Sequence, residues 1–140
     1  MNTLRISNEQ RYIYQYSIVY KYLKRQLSNN DIKKTIHRLG LKKIVLYAIT
    51  DLLDLLLIDI ERKAGEFTIY VSDRNYKKYG EEYKGTSMIC PYDLNEMEKR
   101  GEVDGVIICN PLRENDIFKE LMESGIRLEK IYSLTALIFD

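Results

Sequence analysis

At 140 residues the chain has the length of one ordinary domain, enough to bury roughly two-thirds of the surface its unfolded form exposes without disulfides or a structural metal. A hydrophobic fraction of 45% excludes an intrinsically disordered chain. The 22 Lys+Arg against 21 Asp+Glu leave a net charge of +1, which excludes binding of nucleic acid by overall charge.

The charge is unevenly divided: residues 1–40 hold eight bases and two acids, and the rest of the chain holds 14 bases and 19 acids. Both prolines and all seven glycines lie at or beyond Gly40. These asymmetries predict an N-terminal helical extension over residues 1–40 and an α/β domain over residues 41–140. Five of the 12 tyrosines fall in the extension, at Tyr12, Tyr14, Tyr16, Tyr20 and Tyr22. On a helix at 100° per residue, Ile13, Tyr16, Tyr20, Leu23 and Leu27 form one stripe, and Tyr14, Ile18 and Tyr22 form a second on the opposite side. With one stripe packed on the α/β domain, Tyr14, Ile18 and Tyr22 are the expected interface toward a protein partner or a second copy of the chain, because tyrosine combines ring burial with a hydrogen-bonding hydroxyl. The competing expectation is that both stripes are buried within one chain, or that the tyrosines lie half-exposed. Lys21, Lys24 and Arg25 spread over a wide arc between the stripes, so neither an RNA-binding face nor a membrane anchor with segregated faces is expected.

From Lys43 onward, short apolar runs alternate with segments of helical spacing. Lys43 to Ala48 predicts a buried strand, and Thr50 an N-cap opening a helix to about Lys63 that Gly65 stops. Phe67 to Val71 is a second strand. A Gly- and Tyr-rich connection leads to a third at Ser87 to Cys90, then Pro91 and a helix near Asp93 to Arg100. Val106 to Cys109 is the fourth strand, and Pro111 precedes a helix from Glu114 to Glu123 closed by Gly125. Lys130 to Tyr132 is a brief last strand before a C-terminal turn or short helix. Strand-helix alternation with such short connections predicts a doubly wound, mainly parallel sheet of five strands, with helices on both faces.

In such a sheet a ligand site lies beyond the carboxyl ends of the strands, where strand order reverses next to the first strand. Here that corner is Tyr47-Ala48-Ile49-Thr50-Asp51-Leu52-Leu53. Around it stand Lys42-Lys43-Ile44-Val45-Leu46-Tyr47, then Val71-Ser72-Asp73, then Gly85 with Pro91-Tyr92-Asp93-Leu94, then Val103-Asp104-Gly105-Val106-Ile107-Ile108. In this order, over about Leu39 to Asp140, the chain resembles the Rossmann-like domain of bacterial capsule and surface-polysaccharide proteins. Those proteins typically read KKIxIYGxGxxG, a strand ending in Asp, a Gly with a short strand and P.DL, and an apolar strand preceded by Asp. The resemblance implies a Rossmann-like fold and a place in surface-polysaccharide or sugar-nucleotide metabolism.

The chain departs from that pattern at the glycines, where Ala48, Thr50 and Leu53 stand instead. The glycines permit the tight turn, let a pyrophosphate touch the backbone and allow close helix-to-strand packing. Thr50 and Leu53 add bulk there, and Asp51 and Asp54 occupy the helix N-terminus that would otherwise receive an anion. No cofactor is therefore expected. The alternative is a nucleotide or nucleotide-sugar pocket without a glycine loop, lined by Thr50, Asp73 and Asn110. Asp73 ends the second strand, where an acid holds ribose hydroxyls in dinucleotide folds, or else it forms a solvated strand-to-turn junction. Asn110 follows the fourth strand and faces the cleft, or else caps a helix.

His37 is the single histidine and reads as a surface residue. No nucleophile elbow or Walker loop occurs, and Cys90 stands where a phosphoacceptor receiver domain needs an Asp. Catalysis by this chain alone is not expected. Cys90 and Cys109 lack metal-ligand spacing and read as buried thiols, the N-terminal residues lack the apolar core of a secretion signal, and the apolar run Ile44 to Ile60 is interrupted by Asp51, Asp54 and Asp59. The expected location is the cytoplasm, without a membrane span. The function expected from the sequence is non-catalytic protein association.

Overall fold

The computed structural model describes residues 7–28, 30–61 and 66–139. Helix α1, Asn8–Leu27, begins in a capping box: the Ser7 side chain accepts from the Gln10 N–H while the Gln10 side chain accepts from the Ser7 N–H. Asp31 caps α2, Ile32–Arg38, by accepting from the Lys34 N–H. Then follow β1 (Lys43–Tyr47), α3 (Asp51–Glu61), β2 (Thr68–Ser72), α4 (Tyr76–Tyr79), β3 (Glu82–Tyr83) and β4 (Thr86–Ile89). The chain closes with α5 (Leu94–Lys99), β5 (Gly105–Ile108), α6 (Glu114–Glu123), β6 (Ile131–Ser133) and α7 (Leu134–Phe139). Lys63 and Gly65, the expected end and stop of the α3 helix, lie outside the described residues.

The strands form one six-stranded sheet in the order β3-β4-β2-β1-β5-β6. Five strands are parallel, at the positions their apolar runs predict. The sixth corrects the expected count: β3 is a two-residue strand pairing antiparallel with β4. Lys84 and Gly85, both with positive φ, make the two-residue turn that joins them, the backbone a twisted hairpin requires. Its strand is too short and too polar to announce itself by alternation.

Alternation along β1 sends Ile44 and Leu46 to one face of the sheet and Val45 and Tyr47 to the other. The first face is covered by α1, α2, α3 and α7, through residues such as Ile18, Ile36, Leu53, Leu56 and Leu134. The second is covered by α5 and α6, through Leu94, Met97, Ile117 and Leu121. At the start of the sheet Asp104 Oδ2 accepts from the N–H groups of Lys42 and Lys43, at 3.0 and 2.9 Å. Burial by itself would raise this carboxyl's pKa, but those two N–H donors and the charges of Lys43 and Lys130 outweigh it and hold it below the ordinary 3.8.

The orientation of α1 reverses the expected one. Ile18 and Tyr22 are buried in the core cluster, while Ile13, Tyr16, Tyr20, Leu23 and Leu27 face outward. Ile18 and Tyr22 are therefore not available as an interface, and of that trio only Tyr14 is exposed. The cause lies in two polar anchors that hydrophobic periodicity does not count. Arg25, 4% exposed, donates to the carbonyls of Leu137 and Ile138 in the last turn of α7, to the Thr35 hydroxyl and to the Asn30 carbonyl. Asp59, on α3, accepts from the Tyr22 hydroxyl at 3.1 Å and the Gln26 amide at 2.7 Å, and pairs with Lys33 at 3.1 Å. Both anchors lie on the Ile18-Tyr22 side of the helix and draw that side inward. Arg25 is thus an interior residue and not one of the solvated bases.

Two outcomes are expected. Arg25→Met keeps most of the buried volume but leaves the carbonyls of Leu137, Ile138 and Asn30 without this donor, and should lower the free energy of unfolding by about 3 kcal/mol in urea titrations. Burial and the neighbouring Asp59 raise the pKa of the Tyr22 phenol above its ordinary 10.0, so the fold keeps the proton that the unfolded chain releases near that pH. Stability is then fully present below about pH 10 and declines above it, by up to about 1.4 kcal/mol per pH unit for such a group. Urea midpoints measured between about pH 9 and 11 should fall less steeply in Tyr22→Phe.

Candidate functional site

The strand order reverses between β1 and β5, so the loops after these two strands define the crevice. The first glycine position of the dinucleotide pattern keeps a glycine-like backbone without the glycine: Ala48 has φ +79° and its N–H donates to the Ser72 carbonyl at 2.9 Å. The next amide, that of Ile49, donates to Asp73 Oδ2 at 2.7 Å. The other Asp73 oxygen accepts from the Asn75 N–H at 2.7 Å, closing a local turn. Both carboxylate oxygens are thus engaged by backbone, and Asp73 is nearly buried. A protein carboxylate occupies the loop amide.

Thr50 caps α3, as its position predicts: its hydroxyl accepts from the Leu53 N–H at 3.2 Å and donates to the Cys109 carbonyl at 2.7 Å. That second bond ties the loops after β1 and β5 together. Leu53 is fully buried among the core residues, in the position where a close-packed glycine would stand. Asp54 accepts from the Tyr83 hydroxyl at 2.7 Å and pairs with Lys84 at 3.1 Å, so it holds the β3-β4 hairpin against α3. The Asn110 side-chain oxygen accepts from the Leu112 N–H at 3.2 Å.

The three expected ligand residues line two neighbouring spaces, with Asn110 in both. Thr50 and Asn110 share a cavity of about 370 Å³ with Gln15, Ile18 and Val19 of α1, while Asp73 and Asn110 share a cleft of about 170 Å³ on the α6 side. The α6 side carries charges that no spacing in the sequence brings together. Arg74, Arg113 and Glu120 meet there beside Tyr47, with both arginines against the same Glu120 oxygen at 3.8 and 3.7 Å. A second cleft of about 360 Å³, also lined by Tyr47, Arg74 and Glu120, extends toward Tyr76, Pro91 and Tyr92. The Tyr47 phenol is pushed up to about 12, by burial first and then by the negative charges of Glu120 and Asp73, with Arg74 and Arg113 partly offsetting them. It remains protonated and able to donate at neutral pH. Arg74 had a signal in the sequence, its place directly after the strand-ending Asp73. Arg113 and Glu120 had none.

Cys109 is buried, and burial raises its pKa well above the ordinary 9.0. Cys90 is half-exposed, which corrects its reading as a buried thiol. Among the described residues no group of three or more His, Cys, Asp or Glu side chains is placed to hold a metal ion, and no helix is long and apolar enough to cross a membrane.

Compared with known proteins, the chain matches no family model and no curated protein at a significant level. The loop geometry carries its own test: Asp73→Ala strips acceptors from two backbone donors and should cost about 2–4 kcal/mol of unfolding free energy in urea titrations, with no ligand present.

Proposed function

We propose that the chain is a doubly wound, Rossmann-like domain that catalyses nothing by itself, takes no cofactor at the corner after β1, and works by protein association along α1. The carrying observation is the outward stripe of α1, where Tyr16 is 70% and Leu27 88% exposed while the opposite side of the helix is anchored in the core. Its three-four-three-four spacing is that of a coiled-coil seam, which another helix of the same period fills.

The occupant this stripe fits is a second copy of itself. In an antiparallel pair Ile13 meets Leu27, Tyr16 meets Leu23 and Tyr20 lies on the two-fold axis, so the pattern is self-complementary. Flanking positions Ser17, Val19 and Gln26 are uncharged, and Lys24 would face Ser17, so no like charges are brought together. The seam is about 22 Å long at 1.5 Å per residue. A face that short falls below the roughly 800 Å² per partner of a stable complex, so the dimer is weak and concentration-dependent. Its place in surface-polysaccharide or sugar-nucleotide metabolism rests on the resemblance over residues 39–140 alone. Engagement of Thr50 and Asp73 within the protein weighs against the alternative, a nucleotide or nucleotide-sugar module built on Thr50, Asp73 and Asn110.

Sedimentation velocity decides the matter. The weight-average coefficient should rise between about 10 μM and 1 mM, and Tyr20→Glu, on the axis, should abolish the rise while leaving the exposed-surface stability cost within about 0.5 kcal/mol. A wild type that stays monomeric throughout this range sinks self-association and leaves a helix of another protein as the occupant to seek.

A further inference from the structure

Tyr47 ends β1 and is 4% exposed, yet its hydroxyl has no hydrogen-bond partner among the described residues. Its oxygen is not among the fully buried, unpartnered polar atoms of the described residues, so it opens into the clefts that Tyr47 lines and is free to donate there. Tyr47 lines both clefts on the α6 side, and each cleft also contains Arg74 and Glu120. The two guanidinium groups stand 3.8 and 3.7 Å from a single Glu120 oxygen, beyond hydrogen-bond distance, so two cations share one loosely held anion. The smaller cleft brings these groups together at the carboxyl ends of the strands, and the larger adds Tyr76, Pro91 and Tyr92 as flat, ring-sized walls.

We infer that the Arg74-Glu120-Arg113 cleft binds the phosphate of a small phosphomonoester, whose ring lies against Tyr76, Pro91 and Tyr92. A phosphate dianion offers three acceptor oxygens, and the cleft offers two guanidinium forks and the Tyr47 hydroxyl as donors. Glu120 holds the arginines together in the empty state and turns away when the ligand's negative charge takes its place. Together the clefts hold about 360 and 170 Å³, the range of a small-molecule site. No helix N-terminus or glycine loop takes part, so the inference is independent of the closed corner after β1 and of association along α1.

Isothermal titration of the full chain at constant ionic strength tests it, with uridine 5′-monophosphate and glucose 1-phosphate as probes, inorganic phosphate beside them, and uridine and glucose as uncharged controls. At least one phosphomonoester should bind saturably, one per chain, more tightly than inorganic phosphate, and the uncharged controls should give no heat of binding. Arg74→Gln and Arg113→Gln should each weaken binding about tenfold, Tyr47→Phe should weaken it severalfold, and Glu120→Gln, which removes the internal competitor, should tighten it. Thermal melts of all four variants without ligand establish that each is folded before it is titrated. No saturable binding to the wild type, equal affinity for inorganic phosphate and the phosphomonoesters, affinity indifferent to both arginine changes, or weaker binding in Glu120→Gln would each overturn the proposal.

Discussion

A guanidinium group inside the protein, with no carboxylate paired to it among the described residues, is tolerable when neutral oxygens replace its hydration, and Arg25 satisfies that condition. Leu137, Ile138, Asn30 and Thr35 supply the oxygens, drawn from α7, from the link between α1 and α2, and from α2 itself. Two of them are carbonyls in the last turn of α7, where a helix leaves acceptors free and where its dipole favours a cation. Once Arg25 is placed, α1 has no rotational freedom about its axis. Asp59 repeats the constraint one turn away through Tyr22 and Gln26, and brings in α2 through Lys33. The aromatic stripe faces outward as a consequence of where these polar groups point, since its own hydrophobicity would favour the opposite.

That conflict explains what was legible and what was not. The parallel strands and helices α3 and α6 were readable because each is a run whose period is set by burial: Lys43–Tyr47 is apolar on both faces, and α6 begins and ends at the expected Glu114 and Glu123. The face of α1 was not readable, because both faces are apolar and the choice between them rests on distant partners such as Asp59 for Tyr22 and Ile138 for Arg25, 37 and 113 residues away in the chain. The same reason hides the hairpin of β3, whose two strand residues carry almost no pattern while its Lys84-Gly85 turn carries the signal.

At the crevice, residue types were legible and their assignments were not. Thr50 as the cap of α3 follows from its place before the helix, and its second bond, across to Cys109, requires knowing that β1 and β5 are neighbours. Asp73 reads equally well as a ribose ligand or a turn residue until the Ile49 amide is seen on one of its oxygens. The backbone at Ala48 is left-handed, and the protein's own acids take the next loop amide and the start of α3. The charges on the α6 side became visible only in three dimensions, because Arg74, Arg113 and Glu120 come from separate loops and a helix.

The bond between Arg25 and α7 also sets an order of events during synthesis. Its two ends are 112 residues apart for Leu137, so α1 leaves the ribosome long before the carbonyls that seat it exist. Contacts of such long range form late, so the seat of the tyrosine-rich helix on α7 is completed only after strands β1 to β6 have been translated, whereas its bonds to Asp59 on α3 can form earlier. The helix is therefore made well before its last anchor exists, and in the interval Asp59 alone holds its inward side.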